Sequence, residues 1–415
     1  MDPAHPGNPF PPVKRIAGQY AEFLRKPRVA TLVVVALLSR MPIGMVGFAM
    51  LMVLRENLGS FALAGSAVGA YFVAMAVAAP IGGRLIDRIG PRIPLLVTGC
   101  VQPVAMAALL ASVEFGLGFA FVAAAAALSG AFAPPITVLT RTLWRHRFEH
   151  EDERRMAFSI DAITIEVNFT LGPAIAAAVL AAAGATAAFA LTIAVVIVSF
   201  LIFVASPALG YFRRETHAER HMLGPLTEPR LLIVFLATFG LTLCFGLLEV
   251  GYPGYATLLA MPAFGGVLLS INAMGSATGG TLYGGLHLRA PMERQFAAAM
   301  GLMALPLFLH ALVDSPALFA VVAFLAGALI APSIASQSVL VSRLAPAKYA
   351  TEAFTWSSTF IVCGLGAGVA LGGMLIELAG VKFAFAFAGA VMLAMALLAL
   401  LLPAERRARE ARAAD

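Results

Sequence analysis

Twelve stretches of this chain are apolar for long enough to cross a bilayer, and a water-soluble fold has no place for so many. They run over about 29 to 54, 62 to 83, 94 to 112, 116 to 141, 157 to 182, 184 to 206, 231 to 252, 264 to 288, 295 to 312, 317 to 340, 354 to 379 and 383 to 402. A helix rises about 1.5 Å per residue, so roughly 20 residues cover the hydrocarbon core. Inside lipid each backbone N–H and C=O needs a partner within its own segment, which makes such runs helices. The fold class that follows is an all-α membrane protein with twelve transmembrane helices. Composition agrees: charged residues are 12% of the chain, against about 25% in an average soluble domain.

The net charge is +6, and the placement of that charge decides its meaning. With the N-terminus taken as cytoplasmic, every Lys and Arg except Arg40, Arg55 and Lys382 falls in a tail, a loop or a helix end on that same side. This is the positive-inside pattern of a multi-pass protein of the cell (inner) membrane, with both termini cytoplasmic. The basic balance sets topology and does not call for nucleic acid as a partner. The first span is too long for a cleaved signal. Before it, the proline-rich 1–12 leads into Val13 to Arg28, a basic, partly amphipathic segment expected on the membrane surface. Cys100, Cys244 and Cys363 sit singly in apolar runs, read as packing residues, with no metal-ligand spacing.

The longest basic loop, 207–230, divides the spans six and six. The expected organisation is a cytoplasmic tail over 1–28, a first bundle over 29–206, the linker over 207–230, a second bundle over 231–402 and a tail over 403–415. The halves resemble each other at an offset of about 197 residues: Ala157-Phe158-Ser159 falls near Ala353-Phe354-Thr355, Ala133-Pro134 near Ala331-Pro332, and Gly82-Gly83 near Gly279-Gly280. Two pseudo-symmetric six-helix bundles around one central path can expose a site to either side in turn.

Between the second and third spans lies Gly82-Gly83-Arg84-Leu85-Ile86-Asp87-Arg88-Ile89-Gly90-Pro91-Arg92, read as a tight charged loop. As Gly83-x-x-x-Asp87-Arg88-x-Gly90-x-Arg92 it resembles the signature loop of the major facilitator superfamily. The resemblance covers 29 to 402 and implies that family's fold and alternating access. It also implies that Asp87, Arg88 and Arg92 latch the cytoplasmic side against the start of the eleventh span, near Thr351 and Glu352. The alternative is a solvated loop that only sets topology. The second half has lost the latch, with Gly284 and Gly285 in place of Asp87 and Arg88.

In the fifth span, Asn168, Gly172 and Pro173, followed by Ala176 and Ala177, resemble the Gly-x-x-x-Gly-Pro-x-x-Gly-Gly motif of the superfamily's antiporters. Only Gly172 and Pro173 match outright, and ordinary small-residue packing explains them equally well. The fourth-span arginine of many proton-coupled exporters is Ala126 here.

Charges at mid-membrane depth are costly, so each one asks for a partner or a wet cavity. Arg40 lies about 18 Å along the first span, and Glu166 lies at nearly the same depth in the fifth, so these two are expected to form an ion pair, either static or proton-coupling. Asp161 shares a stripe with Thr164, Asn168 and Gly172, while Glu166 projects about 140° away with Thr170 and Pro173. Asp161 is either solvated or part of a gate. Glu249 in the seventh span is a candidate proton or cation site, or a rim residue. Asn272, Ser276 and Tyr283 in the eighth span, and Ser333, Ser336 and Gln337 in the tenth, have the spacing to line a cavity or to hydrogen-bond between helices.

No metal, nucleophile or phosphate-loop motif appears, so neither enzyme activity nor a cofactor is expected. The function that emerges is proton-coupled export of a small amphipathic or lipophilic molecule by a monomeric carrier: a bacterial, multidrug-type antiporter, whose partners are its substrate, protons and the bilayer. A sugar or metabolite carrier of the same fold, and a non-transporting scaffold, are the alternatives.

Overall fold

A computed structural model of the chain describes residues 20–148, 150–211, 224–286, 288–346 and 350–402. The tails beyond these limits and the middle of the linker lie outside the described residues. The described residues are helical rods without a strand. The first half comprises α1 (Val29–Ser39 and Pro42–Leu58), α2 (Phe61–Ile89), α3 (Arg92–Glu114) and α4 (Phe119–Ala131 and Ile136–Arg147), then one long element, Glu151–Ala205. That element is two rods joined at Gly184, whose φ of 86° is open to glycine and costly for other residues. We call the rods α5 (151–183) and α6 (185–205). The second half comprises α7 (Pro229–Leu258), α8 (Ala263–Gly285), α9 (Met292–Leu312), α10 (Pro316–Gly327 and Ile330–Leu344), α11 (Ala350–Ala379) and α12 (Val381–Ala399).

The duplication is visible in the backbone. Gly380 joins α11 to α12 with φ 86°, just as Gly184 joins α5 to α6. Both α4 and α10 break midway, the first at Pro134-Pro135 and the second just before Pro332, where the missing N–H and the ring disfavour a continuous helix. The packing pairs correspond too: α1 lies on α5 as α7 lies on α11, and α2 lies on α4 as α8 lies on α10. Between the halves, α2 meets α11 and α5 meets α8, as a pseudo-twofold axis requires. The outer helices turn large apolar side chains outward, such as Val104 of α3 at 68% and Leu305 of α9 at 62% exposure. That is a lipid-facing surface.

Three expectations change. The charged stretch is not a tight loop throughout: α2 continues to Ile89, and the turn is confined to Gly90, φ 85°, and Pro91. The part of the amphipathic N-terminal segment that is described does not lie free on the membrane surface. Phe23 is buried with its ring 5.1 Å from that of Phe148, Tyr20 bonds Ser159 at 2.7 Å, and Lys26 pairs with Glu153. The ends of α4 and α5 offer it an apolar floor and opposite charge, which outcompete the lipid interface. Residues 13–19 lie outside the described residues. Finally, Cys100 is exposed on α3 rather than packed, whereas Cys244 is buried.

Candidate functional site

The seam between the halves is closed at one end by close backbone contacts. At the end remote from the arginine-rich helix termini, glycines bring α2 and α11 into backbone contact. A β-carbon on Gly69 would lie 2.8 Å from both Ala370 Cβ and the Gly366 carbonyl oxygen, and one on Gly65 2.7 Å from the Val369 oxygen. Glu377 of α11 reaches across: its carboxylate accepts from the Ser60 hydroxyl and, at 3.0 Å, from the Ala62 N–H. A carboxylate there also complements the positive N-terminus of α2. On the other pair, a β-carbon on Gly266 of α8 would lie 2.7 Å from the Pro173 oxygen and from Ala177 Cβ of α5. At the basic end, β-carbons on Gly82, Gly83, Gly90 and Gly284 would meet nothing within 4 Å. Within the signature stretch Arg88 and Arg92 are exposed. The Asp87 and Thr351 side chains lie outside the described residues.

Arg40 is placed by the break in α1, where Pro42 starts the second segment and the Leu38 carbonyl, which also takes the Met41 N–H at 3.4 Å, accepts from Ser199 of α6 at 2.8 Å. Its guanidinium does not pair with Glu166. It donates through Nη1 to Asp161 Oδ1 at 2.7 Å and to Thr164 at 3.3 Å, and through Nη2 to the Thr137 carbonyl at 3.4 Å. Trp144 Nε1 donates to the same Asp161 oxygen at 3.2 Å, and Arg141 lies 3.6 Å from the other. Arg40 is 0% and Asp161 2% exposed, so this carboxylate is not solvated. The pairing by equal backbone depth failed because an arginine on α1 leans toward the helix N-terminus and reaches about a turn below its own Cα. Facing matters more than depth. Asp161, Thr164, Asn168 and Gly172 all look toward α1, where Gly44 allows contact: a β-carbon on Gly172 would lie 2.7 Å from Gly44 Cα. Asn168, fully buried there, has no side-chain hydrogen-bond partner among the described residues.

The opposite face of α5 carries Glu166, half-buried, with its carboxyl against the Ser276 hydroxyl of α8. Glu249 of α7 crosses the seam the other way: a β-carbon on Gly47 of α1 would lie 3.4 Å from Glu249 Oε2, beside the Phe72 ring. Neither carboxyl has an ion-pair partner among the described residues. The remaining polar candidates are mostly engaged. Asn272 donates to the Ala323 carbonyl at 2.9 Å and to Tyr252 at 3.3 Å, and Gln337 donates to Ser357 at 2.8 Å. Ser333 and Ser336 donate to carbonyls of their own helix. Sequence reasoning missed Arg141, Trp144 and Glu377. The first two are three residues apart on one helix face at the level of Asp161, a signal that was there to be used.

A family model described as Major Facilitator Superfamily matches residues 32–350 and 293–415. Among solved structures, the nucleoside transporter NupG is similar with a TM-score of 0.73 at 12% identity, covering 89% of this chain and 98% of that one. A peptide transporter POT in complex with sulfate gives 0.71 at 14% identity, covering 90% and 94%. A POT family transporter in complex with 5-aminolevulinic acid gives 0.69 at 14%, covering 90% and 95%. At these identities the likeness is one of fold. No curated protein sequence matches the chain.

Proposed function

Because the chain belongs to the major facilitator superfamily, we propose that it is a proton-coupled secondary transporter that exports small amphipathic or lipophilic molecules, with Glu166 and Glu249 as its coupling carboxyls. The moving bodies are residues 29–206 and 231–402, positive-inside placement makes the basic end cytoplasmic, and the close glycine contacts at the far end support reading this conformation as inward-facing. The observation that carries this reading is Glu166 at the seam against Ser276, with no cation beside it among the described residues. As the basic end closes, water leaves and the carboxyl holds a proton; as the far end opens, water returns and the proton is free to exchange. A cationic or amphipathic cargo competes for the same uncompensated carboxyl, and that competition makes an exchanger. Arg40 is occupied by Asp161 and cannot neutralise Glu166. A polyol cargo asks for many free hydrogen-bonding groups, and Asn272, Gln337, Ser333 and Ser336 are already bonded within the protein.

The test uses the full chain in proteoliposomes holding a pH-reporting dye, challenged with lipophilic cations and, in parallel, with sugars, nucleosides and peptides. Glu166→Gln is expected to lower cargo-driven proton movement at least about tenfold while cargo binding persists. Unchanged coupling in this variant removes Glu166 from the mechanism. Counterflow of sugars alone would replace the proposed cargo class.

A further inference from the structure

A cavity of about 660 Å³ opens at the basic end of the first half, far from the seam. Arg28, Arg92 and Ser206 supply its polar wall, and Leu96, Val204 and Leu209 its apolar one. It lies where the segment before α1, the start of α3 and the end of α6 converge. The main packing partners of α3 are helices of the first half, which places the cavity outside the path between the halves. Arg92 is the first residue of a 23-residue helix whose N-cap, Pro91, offers no side-chain cap. The unpaired amides of that first turn add positive potential to the two guanidinium groups. Neither Arg28 nor Arg92 has an ion pair or hydrogen-bonded side-chain partner among the described residues.

The cavity continues into a lipid-facing surface. Next to it along α3 are Leu96, 48% exposed, and Val97; along α6 are Leu201, 55% exposed, and Val198. One turn deeper the helices close up, since a β-carbon at Gly99 would overlap the Phe200 ring. Two cations without an ion-pair partner among the described residues, at the level where apolar spans end and above a shallow apolar furrow, match a phosphate group joined to hydrocarbon chains. We infer that this cavity binds the headgroup of an anionic phospholipid, with Arg28 and Arg92 on the phosphate and the acyl chains along α3 and α6. A free oxyanion meets the cations but leaves the furrow empty, and a zwitterionic lipid brings its own cation into a site that already carries two. Such a lipid ties the N-terminal segment to the α6 end of the linker and braces the first half as it rocks.

The purified full chain in detergent is melted with added phosphatidylglycerol, phosphatidylcholine or inorganic phosphate, and its retained lipid is counted by native mass spectrometry. The expected result is a Tm raised by several degrees with phosphatidylglycerol and by neither other probe, and one phosphatidylglycerol retained preferentially. Arg28→Gln with Arg92→Gln loses both the increment and the retained lipid, whereas Arg289→Gln with Arg294→Gln, exposed arginines at the same end of the other half, keeps them. Should the double variant not fold, Arg28→Gln alone loses most of the increment. An equal shift with phosphate reassigns the cavity to a free anion. A phosphatidylglycerol preference untouched in the Arg28 and Arg92 variants, or lost equally in the Arg289 and Arg294 control, overturns the proposal.

Discussion

Replacing Asp161 by alanine is expected to cost about 3 to 5 kcal/mol, because it strands the Arg40 guanidinium as an unpaired charge in the interior. Arg40 is fully buried, and its other contacts, the Thr164 hydroxyl and the Thr137 carbonyl at 3.3 and 3.4 Å, are long and carry no charge. Arg141 also loses its carboxylate, but at 60% exposure its charge is already hydrated. Taking both members away is milder. Arg40→Met combined with Asp161→Leu is expected to recover most of the loss, since an ion pair replaced by apolar groups of similar volume is often neutral or stabilising. The measurement is the melting temperature of the detergent-solubilised protein across the double-mutant cycle. A single Asp161→Ala that melts with the wild type contradicts a structural pair. Glu166→Gln, with its carboxyl at the seam and no cation to strand, is expected to leave stability nearly unchanged.

The second large effect is conformational. Leucine at Gly69 puts a side chain where the α2 and α11 backbones touch, with Ala370 and the Gly366 carbonyl in its way. Overpacking costs about 1 to 3 kcal/mol, and two transporter conformations differ by only a few. Gly69→Leu should therefore shift the population away from closure at the far end. A cysteine introduced at Val369, buried at that contact, is expected to react about tenfold faster with an impermeant maleimide in the Gly69→Leu background, a factor that corresponds to about 1.4 kcal/mol. Cys100, Cys244 and Cys363 are first replaced. Equal labelling rates would show that these glycines do not hold the gate.

Much of the fold was legible because lipid leaves the chain few choices. Hydropathy and span length located each helix, with ends up to about six residues off where a span runs on into the basic end, as α2 does to Ile89, or beyond the far end, as α7 does to Leu258, and the offset between the halves foretold corresponding elements. It did not pick out Gly184 and Gly380, since a positive φ at a glycine leaves no mark in hydropathy. Ala263–Gly285 carries Ser270, Asn272, Ser276, Thr278, Thr281 and Tyr283, and it remains a rod because Ser270, Thr278 and Thr281 bond back to their own helix while Asn272 bonds to α10 and Tyr283 to Gln295 of α9. The site was less legible. The helical wheel separates Asp161 from Glu166 correctly, yet equal depth does not select the partner of Arg40, because so long a side chain reaches a turn below its own Cα. Which end of the seam is closed depends on glycines whose approach partners lie some 300 residues away in sequence, as for Gly69 and Gly366.

The most direct test of the two-body account is a pair of distances measured by pulsed electron resonance on the full chain in nanodiscs. One spin-label pair sits at Leu85 and Leu282, exposed on α2 and α8 toward the basic end; the other sits at Phe115 and Leu312, exposed at the far end of the two halves. On protonation or cargo binding the account predicts that the first distance shortens while the second lengthens, in proportion, as one population replaces another. Distances that stay fixed under every cargo and pH, or that change with the same sign at both ends, would contradict it.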